Sequence, residues 1–325
     1  MEPVSGIHHV TAITSSAEKI YEFFTHILGM RLVKKTVNQD DIHTYHLFFA
    51  DDKGSAGTDM TFFDFPNVPK GRHGNDEVSR TAFRVPDNEA LNYWLERFDK
   101  YDVHHEEIQT VFGKQVLPFV DFDGQQYQLM SDEGNEGVAS GTPWEKGPVP
   151  LAHAITGLGP VTLTYSDYDY IKAVLEQVYG MQEIAQEGER YLFEMGEGGN
   201  GAQIIVEIDK SLPPHQEGAG TVHHVAFRLK DKKAIDQWIE RYRQFQLPNS
   251  GFVDRFYFKS LYARITRGIL VELATDGPGF MGDEPYETLG EKLSLPPFLE
   301  RDREAIEAQV RHIDTVRSTQ VFIKE

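Results

Sequence analysis

Two histidine doublets stand more than two hundred residues apart, in Gly6-Ile-His-His-Val-Thr-Ala-Ile13 and in Gly220-Thr-Val-His-His-Val-Ala-Phe227. Both run into what reads as a β-strand. The chain contains no cysteine, so a metal ion here has to be held by imidazole and carboxylate. Two neutral imidazoles leave a divalent cation under-neutralised, which makes a carboxylate the natural third ligand. Gly268-Ile-Leu-Val-Glu272 puts one in an apolar run, where burying it is costly unless a cation neutralises it. His9, His224 and Glu272 are therefore the candidate metal ligands. With no fourth ligand in register they make a facial triad, which leaves adjacent positions open for substrate and dioxygen and suits non-haem Fe(II). Mn(II) and Zn(II) are the ions expected to replace it in a crystal.

The elements that must carry these residues repeat, and the repeat decides which positions are comparable. Val225-Ala-Phe-Arg-Leu-Lys-Asp231 and Thr81-Ala-Phe-Arg-Val-Pro-Asp87 agree at Ala, Phe, Arg and Asp. Val10-Thr-Ala-Ile-Thr-Ser-Ser16 and Val161-Thr-Leu-Thr-Tyr-Ser-Asp167 fit the same frame more loosely. Each is a short alternating strand that ends on a polar cap residue. A stretch with the helical period follows, at 17–28, 88–98, 168–178 and 232–242. Gly29 and Gly180 stand where a left-handed C-cap is wanted. Three strand-like runs come after each helix, so the unit is βαβββ and the fold class is α+β with four such modules.

The chain divides into a first half, 5–132 (modules 5–65 and 79–132), and a second half, 157–276 (modules 157–209 and 221–276). A Gly/Pro-rich linker, 133–156, joins them, and a C-terminal extension, 277–325, carries a helix expected from about Glu300. In the common frame, the residue before the shared strand is His9, Arg80, Pro160 and His224 in modules one to four. The last strand offers Thr61, Gln128, Ile205 and Glu272 at its equivalent position. Only the first and fourth modules hold histidine at that position before the strand. A metal shared between those two modules accounts for that pattern, and a purely structural role does not.

Other histidines compete less well. His43 and His46 lie three apart on an expected strand, face opposite sides and make no joint site. His104-His105, expected on the second strand of its module, is followed by Glu106-Glu107 and reads as solvated surface. A formal charge of −19 repels a phosphate backbone, and no Lys/Arg cluster offsets it, so nucleic acid is excluded as a partner. No apolar run is long enough to span a bilayer and no secretory leader is evident, which gives the expectation of a cytoplasmic protein with no membrane partner. The tail helix suits a homodimer.

At the segments Ile7-His-His-Val-Thr11, Val222-His-His-Val225, Arg255 with Tyr262, and Glu272 within Val-Glu-Leu, the sequence resembles the vicinal oxygen chelate superfamily, the glyoxalase/bleomycin resistance/extradiol dioxygenase fold. More narrowly, it is similar to the ring-cleaving dioxygenases that open hydroquinones, and the similarity spans essentially the whole chain. The resemblance implies two cup-like half-barrels, each made of two modules. It implies that His9, His224 and Glu272 bind Fe(II), and that His8, Thr11, His223, Arg255 and Tyr262 surround a small aromatic substrate. The implied activity is an extradiol-type opening of a hydroquinone or related dihydroxyaromatic by O2. Rival readings are a Zn(II) or Ni(II) lyase or isomerase of the glyoxalase type, and a non-catalytic protein that sequesters an aromatic drug. Because histidine marks modules one and four, those two are expected to pair around the metal, with two and three forming a metal-free cup. Strict strand alternation would aim His8 and His223 away from their neighbours, so a bulge or a sideways approach is required. Phe62, Phe63, Phe256 and Phe258 are candidate walls for the substrate ring.

Overall fold

The computed structural model describes residues 1–325. Module one comprises β1 (Ile7–Ile13), helix α1 (Ala17–Glu22, widening into a π turn over Phe23–Ile27), β2 (Arg31–Asn38), β3 (Asp41–Ala50) and β4 (Asp59–Phe63). Module two has β5 (Glu77–Val85), α2 (Asn88–Lys100), β6 (Gln109–Val111), β7 (Lys114–Val120) and β8 (Gln126–Ser131). Module three has β9 (Gly157–Tyr165), α3 (Tyr168–Ala173, with a π turn over Val174–Val178), β10 (Gln182–Glu187), β11 (Arg190–Glu194) and β12 (Gln203–Ile208). Module four has β13 (Val222–Leu229), α4 (Lys232–Gln244), β14 (Val253–Asp254), β15 (Phe258–Arg264) and β16 (Leu270–Pro278). The extension carries a 3-10 turn at Tyr286–Thr288, another at Glu300–Asp302 and one short helix, α5 (Arg303–Glu307), beyond which irregular chain runs to Glu325. His104-His105 precedes β6 and lies outside the regular strands, with His105 making one isolated bridge to Phe119.

The residues foreseen as caps are the ones that start the helices. The side chains of Ser16, Asp87, Asp167 and Asp231 each accept the backbone N–H three residues on, satisfying a donor that the first turn leaves unpaired. Gly29 leaves α1 with a φ of +69°, and a Cβ there would fall 2.6 Å from Val149. Both facts demand glycine.

Two eight-stranded sheets result, ordered β14-β15-β16-β13-β1-β4-β3-β2 and β10-β11-β12-β9-β5-β8-β7-β6. Modules four and one share the first sheet and modules three and two the second, so each sheet takes one module from either half of the chain. Within a module the first and last strands run parallel, side by side. Between modules the first strands meet antiparallel, β1 against β13 and β5 against β9.

Strand alternation sends Val10, Ala12, Met60, Phe62, Val225, Phe227 and Leu273 to the face covered by the helices. There they meet Phe24, Trp94 and Trp238 in one continuous core. The opposite face of each sheet forms the hollow of a cup. The floor of the first cup is filled by Val33, Phe48, Ala226 and Tyr257 together with Phe280 and Leu289 from the extension. The second is floored by Ala82, Val116, Met130, Leu192 and Ile205.

The extension is fastened to the first cup by Lys34, which is fully buried. Its ammonium group donates to Asp283 at 2.8 Å and to Glu284, and lies 4.9 Å from the Tyr257 ring. Removing one partner from a buried ion pair strands the others. Lys34→Met is therefore expected to cost about 3–5 kcal/mol, read as a lowered urea midpoint, and to expose residues 280–291 to protease.

Candidate functional site

The site is built on the seam between β1 and β13. Opposed pairs along it are Ile7 with Phe227, His9 with Ala226, Val10 with Val225, Thr11 with His224, and Ala12 with Val222. His8 and His223 fall at the two register shifts and have no opposite number. These are β-bulges, which break alternation and re-aim a side chain. They answer the objection raised by strict alternation, because each doublet now keeps its two rings in contact. The second sheet carries shifts at equivalent places, one at Ser79 and one between Thr81 and Phe83, so the bulges belong to the fold and precede any metal.

The frame read from the sequence is also the spatial one. Thr61, Gln128, Ile205 and Glu272 stand beside Thr11, Ala82, Thr162 and Ala226 on the neighbouring parallel strands. One cup thus collects two imidazoles and a carboxylate. Its counterpart has Arg80, Pro160 and Gln128 at those positions, and although a cavity of about 410 Å³ opens there, it holds no equivalent cluster.

His9 Nε2, His224 Nε2 and Glu272 Oε2 form a triangle with edges of 3.2 Å (His9 to His224), 3.1 Å (His9 to Glu272) and 3.0 Å (His224 to Glu272). All three residues are buried. The proton positions follow from their neighbours. His8 Nε2 lies 3.0 Å from the Thr275 carbonyl oxygen, which can only accept, so that nitrogen carries the hydrogen. Burial, reinforced by His9, lowers the His8 pKa to about 3, so the ring is neutral and its Nδ1 is an acceptor. His9 Nδ1, 2.9 Å away, must then donate, which leaves the lone pair of a neutral His9 on Nε2, facing into the triangle.

The second doublet repeats the contact, with His223 Nδ1 2.8 Å from His224 Nδ1. Burial, against the opposing pull of Glu272, keeps His224 neutral with a pKa lowered to about 4. Ser260 donates to Glu272 Oε1 at 2.5 Å. Oε2 has no hydrogen-bond donor, although two imidazole nitrogens face it.

Three acceptor atoms so close in a buried place call for a cation between them. The spacing discriminates among geometries. Adjacent ligands about 2.1 Å from an octahedral ion stand about 3.0 Å apart, and those of a tetrahedral ion about 3.4 Å. The observed edges fit three neighbouring corners of an octahedron, and the donor set of two imidazoles and one carboxylate fits a divalent ion.

A cavity of about 400 Å³ opens from the triangle. Tyr262 lies on β15 directly beside Glu272, and its hydroxyl oxygen accepts from Arg255 Nε at 3.1 Å. The rest of the guanidinium donates to Asp40, at 2.8 and 3.2 Å, in the turn between β2 and β3. Burial, with Glu272 adding to it and Arg255 opposing, raises the Tyr262 pKa, so its proton stays on at neutral pH. Thr11 Oγ1 sits 3.0 Å from His224 Nε2 and 2.7 Å from Thr61 Oγ1. The eight residues singled out in the sequence therefore all lie at or around one cavity, His8 from behind His9.

Sequence reasoning missed part of the wall. Phe63 and Phe258 line the cavity, but Phe62 points into the core and Phe256 packs on Tyr257. Phe48, Phe65, His46, Tyr257 and Leu270 also line it. His43 and His46 do face opposite ways. His43 is exposed and His46 turns inward.

Residues 6–126 match the family model of the Glyoxalase/Bleomycin resistance protein/Dioxygenase superfamily. The chain is 42% identical over 315 residues to a Bacillus subtilis protein named "Putative ring-cleaving dioxygenase MhqA", covering 95% of this chain and 99% of that one. It is 29% identical over 310 residues to a "Chlorohydroquinone/hydroquinone 1,2-dioxygenase" of Sphingobium indicum, covering 92% and 94%. A crystal structure of a "putative dioxygenase" from Bacillus subtilis superposes with a TM-score of 0.90 at 34% identity, covering 97% of this chain and 99% of that one.

Titration with Mn(II) followed by calorimetry should find one tight site per chain, weakened at least about 100-fold in Glu272→Ala and about 10–100-fold in His8→Phe, which removes the acceptor that fixes the His9 proton. Without metal, the folded-state pKa values of His8 and His224 lie below the unfolded value of about 6.5, so the unfolded chain binds more protons between them. Stability of the metal-free protein should therefore be fullest above about pH 6.5 and fall as the pH drops toward 4, read as a shift in urea midpoint.

Proposed function

The chain belongs to the Glyoxalase/Bleomycin resistance protein/Dioxygenase superfamily, and from that premise we propose that it is an Fe(II)-dependent ring-cleaving dioxygenase. In this reading it opens a hydroquinone or related dihydroxyaromatic, in extradiol fashion, with both atoms of O2 entering the product. The observation that carries the proposal is the three-atom triangle facing an aromatic-walled cavity with Arg255 and Tyr262 beside it. Relatives named as ring-cleaving and hydroquinone dioxygenases support it. A lyase of this fold ordinarily takes a fourth protein ligand, and the cluster contains three.

His9, His224 and Glu272 would hold the ion. Fe(II), when bound, would supply the redox chemistry that lets a phenol transfer electrons to O2. The residues of the chain do the rest. Phe63, Phe258 and Phe48 confine the ring and exclude water from it. Arg255 places a cation beside the cavity, which favours the ionised phenol over the neutral one. Because the Tyr262 oxygen accepts from Arg255, its own hydrogen is free to be donated to an oxygen of the reacting ring or of dioxygen, and to be recovered afterwards. His223, half-buried with no partner for its Nε2, is a second proton carrier on the same cavity.

After anaerobic loading with Fe(II), the protein should consume one O2 per hydroquinone opened, followed with an oxygen electrode, and catechol should be slower. Tyr262→Phe should keep its metal and lower kcat about 100-fold. Absence of O2 uptake with both diols would contradict the proposal.

A further inference from the structure

The far wall of the cavity holds polar groups that the ring-opening chemistry just described leaves idle. His46 lies on β3 with its ring between Phe48, at 4.0 Å between centroids, and Phe63, at 4.5 Å. Its Nε2 is tied to Thr61 Oγ1 at 2.9 Å. Those contacts fix both the plane of the ring and which nitrogen is spent. The other nitrogen, Nδ1, has no protein partner and is not sealed away from the cavity that His46 lines. Thr36, opposite His46 on β2, lines the same wall. It is 1% exposed, and its hydroxyl, close to that of Tyr257, makes no hydrogen bond of good geometry. Tyr257, also on this wall, is engaged with Asp283 at 3.1 Å.

A buried hydroxyl without a partner is costly, and one set beside an imidazole nitrogen that no protein group engages, on the inner wall of a cavity, describes a receptor for something polar. Its chemistry follows from its position. β3 is separated from β1 by β4, so the receptor lies two strand spacings, roughly 10 Å along the sheet, from the strand that carries His9. A ring with hydroxyls at opposite ends reaches from the triangle toward that wall. A ring with adjacent hydroxyls keeps both at the metal end.

We propose that His46 Nδ1 and Thr36 Oγ1 form a specificity pocket that binds the second hydroxyl of a para-dihydroxylated ring, the first hydroxyl lying at the His9–His224–Glu272 end. The inference rests on the ring-opening reading for the orientation of the substrate. A phenolic hydroxyl both donates and accepts, so it satisfies Nδ1 whichever nitrogen of the neutral imidazole bears the hydrogen. Burial, joined by the nearby imidazoles of His9 and His224, keeps His46 neutral. The ring therefore offers hydrogen bonding without a charge that would attract anions.

The test is anaerobic binding to the Fe(II)-loaded full chain, comparing hydroquinone with 4-methylphenol, in which a methyl group replaces the far hydroxyl. The wild-type protein should bind hydroquinone about tenfold more tightly, the worth of one good hydrogen bond. His46→Phe and Thr36→Val should each remove most of that preference by weakening hydroquinone about tenfold while changing 4-methylphenol less than about twofold. Unchanged metal content and melting temperature verify that each variant is folded, and Thr36→Val, nearly isosteric, carries the test if His46→Phe does not fold. No preference in the wild type, or equal weakening of both phenols in the variants, overturns the inference. A preference that the variants abolish, in a protein that takes up no O2 when aerated, upholds the pocket and removes the ring-opening reading instead.

Discussion

Three acceptor atoms face one another across about 3 Å in a buried pocket, with the Thr11 hydroxyl beside His224 the one donor within reach and none reaching Glu272 Oε2. The structure around the triangle serves to keep it so. Thr275 fixes His8, His8 fixes His9, and Ser260 takes the outer carboxylate oxygen so that the inner one stays free. Each contact gives up hydrogen-bonding freedom to aim a lone pair inward, and such a site is stable only with positive charge at its centre.

The seam between β1 and β13 is what brings residues so distant in the chain together. An antiparallel pairing of the first strands of two modules places position 9 near position 224, and the parallel last strand brings position 272 alongside. Both sheets use this arrangement, and only one is furnished with ligands. The extension adds a further asymmetry. Phe280 and Leu289 fill the base of the furnished cup and Lys34 anchors them, and the turn that carries Asp40 lines the cavity above. Arg255 joins that turn to module four through its bonds to Asp40 and through Gln39, which donates to the Arg255 carbonyl.

Much of this was legible in the sequence because the chain contains its own alignment. Four modules in one frame showed where histidine was optional and where it recurred, and the partnering of modules one and four followed from it. The equivalence of Thr61, Gln128, Ile205 and Glu272, read as spacing from a glycine, reappears as the same lateral pairing in each module. Other features were beyond reach for physical reasons. A bulge shifts register without altering composition, so the sequence posed the direction of His8 and His223 as a question and could not answer it. The period of β3 sends either His43 or His46 inward, and neighbouring residues do not decide which. Phe62 and Phe63 are chemically equal in the sequence, yet alternation buries one in the core and gives the other to the cavity. Filling of the cup floor by residues 280–291 depends on a long-range ion pair that no local pattern announces.

The account stands most directly on where a metal ion settles. A crystal grown with Mn(II) and measured for anomalous scattering should show one strong peak about 2.1 Å from His9 Nε2, His224 Nε2 and Glu272 Oε2 together, with its remaining positions turned toward the Tyr262 side of the cavity. A peak elsewhere, or none while the three side chains remain in direct contact, would contradict it.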